Sequence, residues 1–279
     1  MRRNGVPPRR SLTSVIVSEH EGALVLVRQA DHALLSGHLA AAWGAEPWEP
    51  VRPYEPVVLG ARLHDLCWTP FDERVPQRQD GRPLAFTEVP RTQSTRFYGP
   101  GVDAVEALDP YAGLLVSLHL TGFFQSHWGF VHPAQRMPVS EEERPTIGAF
   151  LEAEGARQER LRDRLGVASG EGDRLLRSSY LLLQIWDLLS LDVCRRAFDF
   201  WEGTYPAVPP RDGADEVSLQ VRLEPGGICR LSPYPLRVEP VTAVVPAARV
   251  PLGEAEDGAA LHRAWLRGME PITVTFRAA

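Results

Sequence analysis

Apolar and polar residues alternate along this chain with two periods, and the switch between them divides it. Val15-Ile16-Val17 and Leu24-Val25-Leu26-Val27 flank Glu21-Gly22, so residues 14–29 are expected to form a β-hairpin. A helical period follows. Asp31 caps it, Leu34, Leu35, Leu39 and Trp43 mark its apolar face, and Gly44 ends it. The proline-rich stretch Glu46 to Pro56 reads as a loop, and Val57 to Trp68 as a short helix stopped by Pro70. From Pro70 to about Pro100 the chain is polar and rich in Gly and Pro, which predicts a long loop, functional or disordered. Asp109-Pro110 has the cap-then-proline form of a helix start, with the helix expected to reach about Trp128. Glu141 to Leu165 is amphipathic, and Gly172 to Trp201 reads as the most apolar helix and the central one. After Pro206 period two returns at Val217, Leu219, Val221 and Leu223, then at Ile272, Val274 and Phe276, with a turn at Pro225-Gly226-Gly227 and a short helix over Ala259 to Arg267. The expected fold is mainly α. A loose tail (1–13) precedes a helical core with its N-terminal hairpin (14–205). A β-rich extension (206–279) packs on the same domain, its strands joining the hairpin in one small antiparallel sheet.

Composition narrows the chemistry. Hydrophobic residues make up 44% and charged residues 24%, an ordinary globular balance. No apolar run approaches the ~18 residues of a membrane span, and no signal-like apolar segment follows the basic N-terminus. A soluble, cytoplasmic protein is expected. A net charge of −6, with no basic run beyond the tail, disfavours a long nucleic-acid groove. Cys67, Cys194 and Cys229 are widely spaced and odd in number, so they read as apolar fillers and not as a disulfide framework or zinc site. All 30 basic residues are Arg, which excludes P-loop, Schiff-base and Ser-Lys chemistry. G-x-S-x-G, H-E-x-x-H and C-x-x-C motifs are absent.

Four helices carry polar residues on apolar faces, and burying such groups has a cost that needs a compensating partner. His32 shares a face with Leu35, Leu39 and Trp43. His64 shares one with Gly60, Ala61, Cys67 and Trp68, the two small residues admitting a neighbouring helix. His119 lies with Ala112, Leu115, Val116 and Phe123, and Asp187 with Tyr180, Leu183, Gln184, Ser190, Leu191 and Cys194. A lone histidine there is usually a hydrogen-bonded core residue. As a group they call for a shared divalent cation, and imidazole with carboxylate suits Mn, Fe, Ni, Co or Zn. His64 and Asp65 diverge by about 100° on a helix, so both reach one ion only off the helix shoulder. The candidate ligands are His32, His64, Asp65, His119 and Asp187. The candidate catalytic groups are Asp65, His119 and Arg62. Arg28 and Arg62 are candidate cations for developing charge, although Arg62 can equally pair at the surface. Gln29 either orients a ligand or bonds the sheet. Asp72 on the long loop is a weaker candidate for outer ligand or base. Asp192 is the contrast: Arg195 and Arg196 follow at i+3 and i+4, which predicts an exposed ion pair. His127 and His132 are expected in solvent, and His20, His38 and His262 have no partner that the sequence names.

The order His32, then His64-Asp65, then Asp187 resembles the HD-domain superfamily. Those are helical metalloproteins, mostly phosphohydrolases and phosphodiesterases, in which the first His, the doublet and the late Asp bind the metal. The segments RQADHALLSGHLAAAWG, ARLHDLCW, LLVSLH and LLLQIWDLLSLDVC, spanning residues 28 to 194, resemble a bacterial family designated domain of unknown function 3891. That designation supplies no activity; the resemblance to the HD superfamily implies an HD-like helical bundle and a metal-dependent hydrolase whose partner is a small-molecule substrate, a phosphoester or nucleotide-like compound. The extra histidine motifs of two-metal cyclic-dinucleotide phosphodiesterases are not recognisable. A non-haem di-iron oxygenase is the alternative enzyme, with His119 suited to a second iron, and a non-catalytic metal- or ligand-binding protein is the third reading.

Overall fold

A computed structural model describes residues 15–71, 77–210, 215–267 and 270–279. The tail at 1–13 and Asp72 lie outside them. Strands β1 (Val15–His20) and β2 (Ala23–Arg28) form the expected hairpin. Glu21 and Gly22 at its tip both have positive φ, 48° and 73°, as a two-residue turn that matches strand twist requires. The chain then runs through α1 (Gln29–Ala42), α2 (Tyr54–Leu63), a 3₁₀ turn (Leu66–Phe71), α3 (Arg91–Leu108), α4 (Pro110–Gly122), α5 (Arg144–Leu165) and α6 (Gly170–Arg196). Strands β3 (Trp201–Val208), β4 (Val217–Glu224), β5 (Ile228–Ser232), β6 (Val241–Val245) and β7 (Ala248–Pro251) follow, then α7 (Gly258–Leu266) and β8 (Ile272–Ala278).

The architecture is mixed α/β, which corrects the expectation of a mainly helical bundle with one small sheet. Of the described residues half are helical and 21% are strand, in two sheets. Among the described residues the hairpin pairs with one further strand, β7, giving the order β1-β2-β7, and Val15 makes an isolated bridge to Ala85, while β3-β4-β5-β8-β6 is a separate five-stranded sheet in which β5 and β8 run parallel and the other pairs antiparallel. Short strands hide the difference in the sequence. Pro206 interrupts the pattern of β3, and β6 and β7 are brief apolar runs between prolines. Pro246 has no N–H to extend a ladder, so the chain leaves β6 there and begins β7 in the other sheet two residues later.

Helix boundaries move for similar reasons. The predicted loop over 70–100 ends at Arg91, because α3 continues straight through Gly99-Pro100. Local breakers lose there to packing: Tyr98, Val102 and Val105 are buried against α4 and α5. Asp109 caps α4 as expected, accepting from the Tyr111 and Ala112 N–H groups, but the helix stops at Gly122. Every residue from Tyr111 to Gly122 is buried, which makes α4, not α6, the enclosed helix. Gly60 on α2 meets it closely; a Cβ there would lie 3.1 Å from Leu115 Cδ2. The main core joins α1, α4 and α6 to the inner face of the five-stranded sheet, and a smaller one packs Leu24, Leu26 and Val250 against Leu261 and Trp265 of α7.

Candidate metal centre

Four elements bring the polar residues together. His32 sits in the first turn of α1, His119 on α4 and Asp187 on α6, all buried. His64 and Asp65 lie where α2 gives way to the 3₁₀ turn. His64 keeps helical backbone angles there (φ −59°, ψ −27°), and both side chains still reach one cluster, as expected of an ion held off the helix shoulder. His64 Nε2 is 3.7 Å from Asp65 Oδ2 and 3.4 Å from Asp187 Oδ1, and His32 Nε2 is 2.8 Å from Asp65 Oδ2. His119 Nε2 lies 3.9 Å from Asp187 Oδ2. The His64 ring meets those of His32 and His119 edge-on, each at 5.0 Å between centroids.

Proton accounting says what these groups lack. His64 Nδ1 is 2.9 Å from the Ala61 carbonyl, which can only accept, so Nδ1 carries the proton. Nε2 is the atom turned towards the two carboxylates, and it makes no well-formed hydrogen bond; without an ion it is protonated, and its lone pair becomes available when a cation displaces that proton. A metal-ligating histidine has this arrangement, with the far nitrogen fixed on a backbone acceptor and the near one left for the ion. His32 Nδ1 is similarly held by Ser190 Oγ at 2.9 Å, and Ser190 is held by Ser36 and by the Asp187 carbonyl. One ligand atom each from His32, His64 and Asp187 fall within 4.8 Å of one another. Ligand atoms about 2.1 Å from a shared ion are separated by roughly 3 to 4 Å, so the trio can hold one with small adjustment.

Charge in the cluster is strongly coupled. Burial opposes a charge on His64, but Asp65 and Asp187 outweigh it and raise its pKa to about 9. Burial works against ionised Asp187 as well, and the His64 imidazole beside it still lowers its pKa to about 2. His119 goes the other way. Burial dominates and lowers it to about 4, leaving a neutral ring whose Nδ1 has no partner.

Asp65, His119 and Asp187 line a cavity of about 370 Å³, together with Gln29, Trp68, Phe86, Tyr98 and Met137. Gln29 is 1% exposed and its Oε1 is unpartnered, so it is not bonded to the sheet through that atom. Neither Arg28 nor Arg62 lines this cavity: Arg28 lies over the Trp265 ring, and Arg62 is exposed on α2. The cavity's cations are Arg91, Arg136 and Arg195, which the sequence reading missed. A signal existed for Arg195, since it continues the face of Leu188 and Leu191 on α6. Asp192 instead pairs with Arg196 at 3.4 Å and accepts from Tyr205 Oη at 2.7 Å, so it is half-buried, not exposed. His127 is also half-buried, bonded to Thr121 Oγ1 at 2.8 Å, and His132 caps a turn through Nδ1. His20 stacks on Phe198, and the three cysteines are buried and unbridged.

These features define a mixed α/β protein with a buried His/Asp cluster at the floor of a cavity. The sequence profile of the family described as Protein of unknown function (DUF3891) matches residues 15–252, and the chain belongs to that family. No curated protein and no solved structure matches it. Among the described residues, no helix is long and apolar enough to cross a membrane.

Proposed function

We propose that this protein is a metal-dependent hydrolase of the HD type acting on a phosphoester or nucleotide-like small molecule. The observation that carries the reading is the convergence of His32, His64 and Asp187, with His64 Nε2 turned towards Asp187 and Asp65, directly behind the Asp65, Asp187 and His119 wall of a cavity large enough for a small substrate. His32, His64 and Asp187 would hold the ion, with Asp65 as the further candidate ligand. A divalent cation supplies Lewis-acid polarisation and brings the pKa of water towards neutrality.

The chain's own residues do the rest. Asp65 lines the cavity and touches both histidines, so it is placed to accept a proton from water or to complete the ligand set. His119, neutral and without a protein acceptor at Nδ1, can donate a hydrogen bond to a phosphoryl oxygen as charge develops there. The arginines of the cavity wall offset the charge of an anionic substrate.

A second reading, an iron-dependent oxygenase, draws on Asp187, whose two oxygens face different histidines: Oδ1 faces His64 and Oδ2 faces His119. A carboxylate so placed can bridge two ions. The deciding experiment is elemental analysis of protein purified without a metal-affinity tag, with His64→Ala alongside, followed by assay of phosphate release from phosphomonoesters. Near-stoichiometric metal lost in the variant, with phosphate released, supports the hydrolase. Iron with oxygen consumption and no phosphate release favours the oxygenase. Absence of metal from both samples after reconstitution removes both.

A further inference from the structure

The cavity extends well beyond the metal ligands, and its far wall has a charge of its own. Apart from Asp65, Asp187 and His119, the ionisable groups that line it are Arg91, Arg136, Arg195 and the Tyr98 phenol. Arg91 is already engaged, donating to the Pro138 carbonyl at 2.5 Å and lying 3.5 Å from Glu143. Among the described residues, Arg136 and Arg195 have no carboxylate at ion-pairing distance. Arg195 lies 5.3 Å over the Phe86 ring, which orients a guanidinium without neutralising it.

Both stand on anchored backbone, with the Arg195 side chain half-buried and that of Arg136 exposed. Arg195 stands eight residues beyond Asp187 on α6, about 12 Å further along the axis at 1.5 Å per residue. Arg136 belongs to a loop fastened at both ends. Gln135 Nε2 donates to the Gln184 carbonyl at 3.2 Å, Gln184 Oε1 accepts from the Val131 N–H at 2.9 Å, and the Met137 N–H donates to the Phe123 carbonyl at 2.7 Å. Between Asp187 and Arg195 the lining residues of α6 are Leu188 and Leu191, and Phe86, Val89 and Met137 add apolar wall, with Thr87, Ser94 and Gln135 as its uncharged polar groups.

We infer that the substrate is an anionic amphiphile with two separated charges: an ester phosphate at the His/Asp cluster and a second anionic group held by Arg136 and Arg195, with an apolar body between them. The inference rests on the hydrolase reading for the ester end only; the arginine end makes its own demand. A carboxylate and a second phosphate share the required chemistry, and the test separates them.

The experiment uses the full chain loaded with Mn²⁺ and three probes with one apolar body: hexyl phosphate, the phosphate ester of 6-hydroxyhexanoate, and 1,6-hexanediol bisphosphate. Titration calorimetry reads affinity whether or not any probe turns over, and phosphate release is followed in parallel. The expected result is that at least one doubly charged probe binds roughly tenfold or more tightly than hexyl phosphate, the size of a charge-assisted hydrogen bond. The better of the two identifies the second group. The preference should disappear in Arg136→Gln/Arg195→Gln and persist in Arg160→Gln, a surface arginine that pairs with Glu106. Equal affinity for all three probes, or a preference that survives the double variant, overturns the inference. Preferential binding without phosphate release leaves it standing and overturns the hydrolase reading instead.

Discussion

Two buried polar clusters meet on α4, and they are built on opposite rules. On one side Ser117 Oγ donates to Glu154 Oε2 at 2.7 Å, and Gln158 Nε2 donates to Ser117 and Thr121 at 2.9 and 3.0 Å. Arg157 then joins Glu154 to Glu106. None of the buried side-chain polar atoms of Ser117, Thr121, Glu154 or Gln158 lacks a partner. On the other side, His119 Nδ1, His64 Nε2 and Gln29 Oε1 all do. Both clusters lose water on folding. The first recovers its hydrogen bonds within the protein, and the second leaves three of its polar atoms without a partner there. A buried polar group left open is destabilising by roughly 1–3 kcal/mol; Gln29 and His119 line the cavity and His64 lies just behind its Asp65–Asp187 wall, which is the feature the metal reading is proposed to explain.

The comparison breaks most sharply at Asp187. Asp187→Ala removes a member of the trio and should abolish metal retention by elemental analysis, with Asp187→Asn as the shape-preserving companion. Asp192→Ala lies on the same helix with its carboxylate on Arg196 and Tyr205, and should leave the metal in place. Equal metal content in the two variants would show that the open cluster is not the binding site.

Chelation is the next largest effect. An ion at a hundred times its Kd stabilises the folded state by about 2.7 kcal/mol, so removing it should lower Tm by about 5 °C or more in a chain of this size. His64→Ala should show no such shift, and a chelator-dependent shift in that variant would place the ion elsewhere.

The sequence carried the site further than the fold. The burial of His32, His119 and Asp187 was legible because each sits on an apolar helix face, where it follows from the 3.6-residue period, and His64 kept that phase although α2 ends one residue before it. Gln29 was legible only as an alternative, since a strand end and a cavity wall demand the same residue. The arginines were not legible: Arg136 lies on a loop without period, and Arg195 was assigned to Asp192 because i+3 and i+4 spacing are equally good for pairing. Strand partnership was hidden too. Nothing local in Ala248–Pro251 says that it pairs with Ala23–Leu26, more than two hundred residues earlier, while Val241–Val245 goes to the other sheet. Pro100 misled for the converse reason, because its local cost is outweighed by the burial of Tyr98, Val102 and Val105.

On the satisfied side, Gln158→Ala withdraws the donor shared by Ser117 and Thr121 from a site 7% exposed. Stability to urea should fall by about 2 kcal/mol with metal content unchanged. Loss of metal along with stability would mean that the two clusters are mechanically one.

The finest discrimination comes from His119→Phe. The ring packs 4.7 Å from Phe123 and 5.0 Å from His64, between centroids, so a phenyl group fits the same space. In the metal-free protein the substitution removes a neutral, unpartnered buried nitrogen and should stabilise by about 1 kcal/mol, the opposite sign to Gln158→Ala on the same helix. The trio of His32, His64 and Asp187 is untouched, so metal should be retained, while phosphate release should fall about a hundredfold if Nδ1 donates to the reacting phosphoryl group. Metal content halved in place of unchanged would make His119 a ligand to a second ion and shift the reading towards the oxygenase. A loss of stability equal to that of Gln158→Ala would mean that His119 is already satisfied in solution, and the contrast between the two sides of α4 would then fail at the residue where it is tightest.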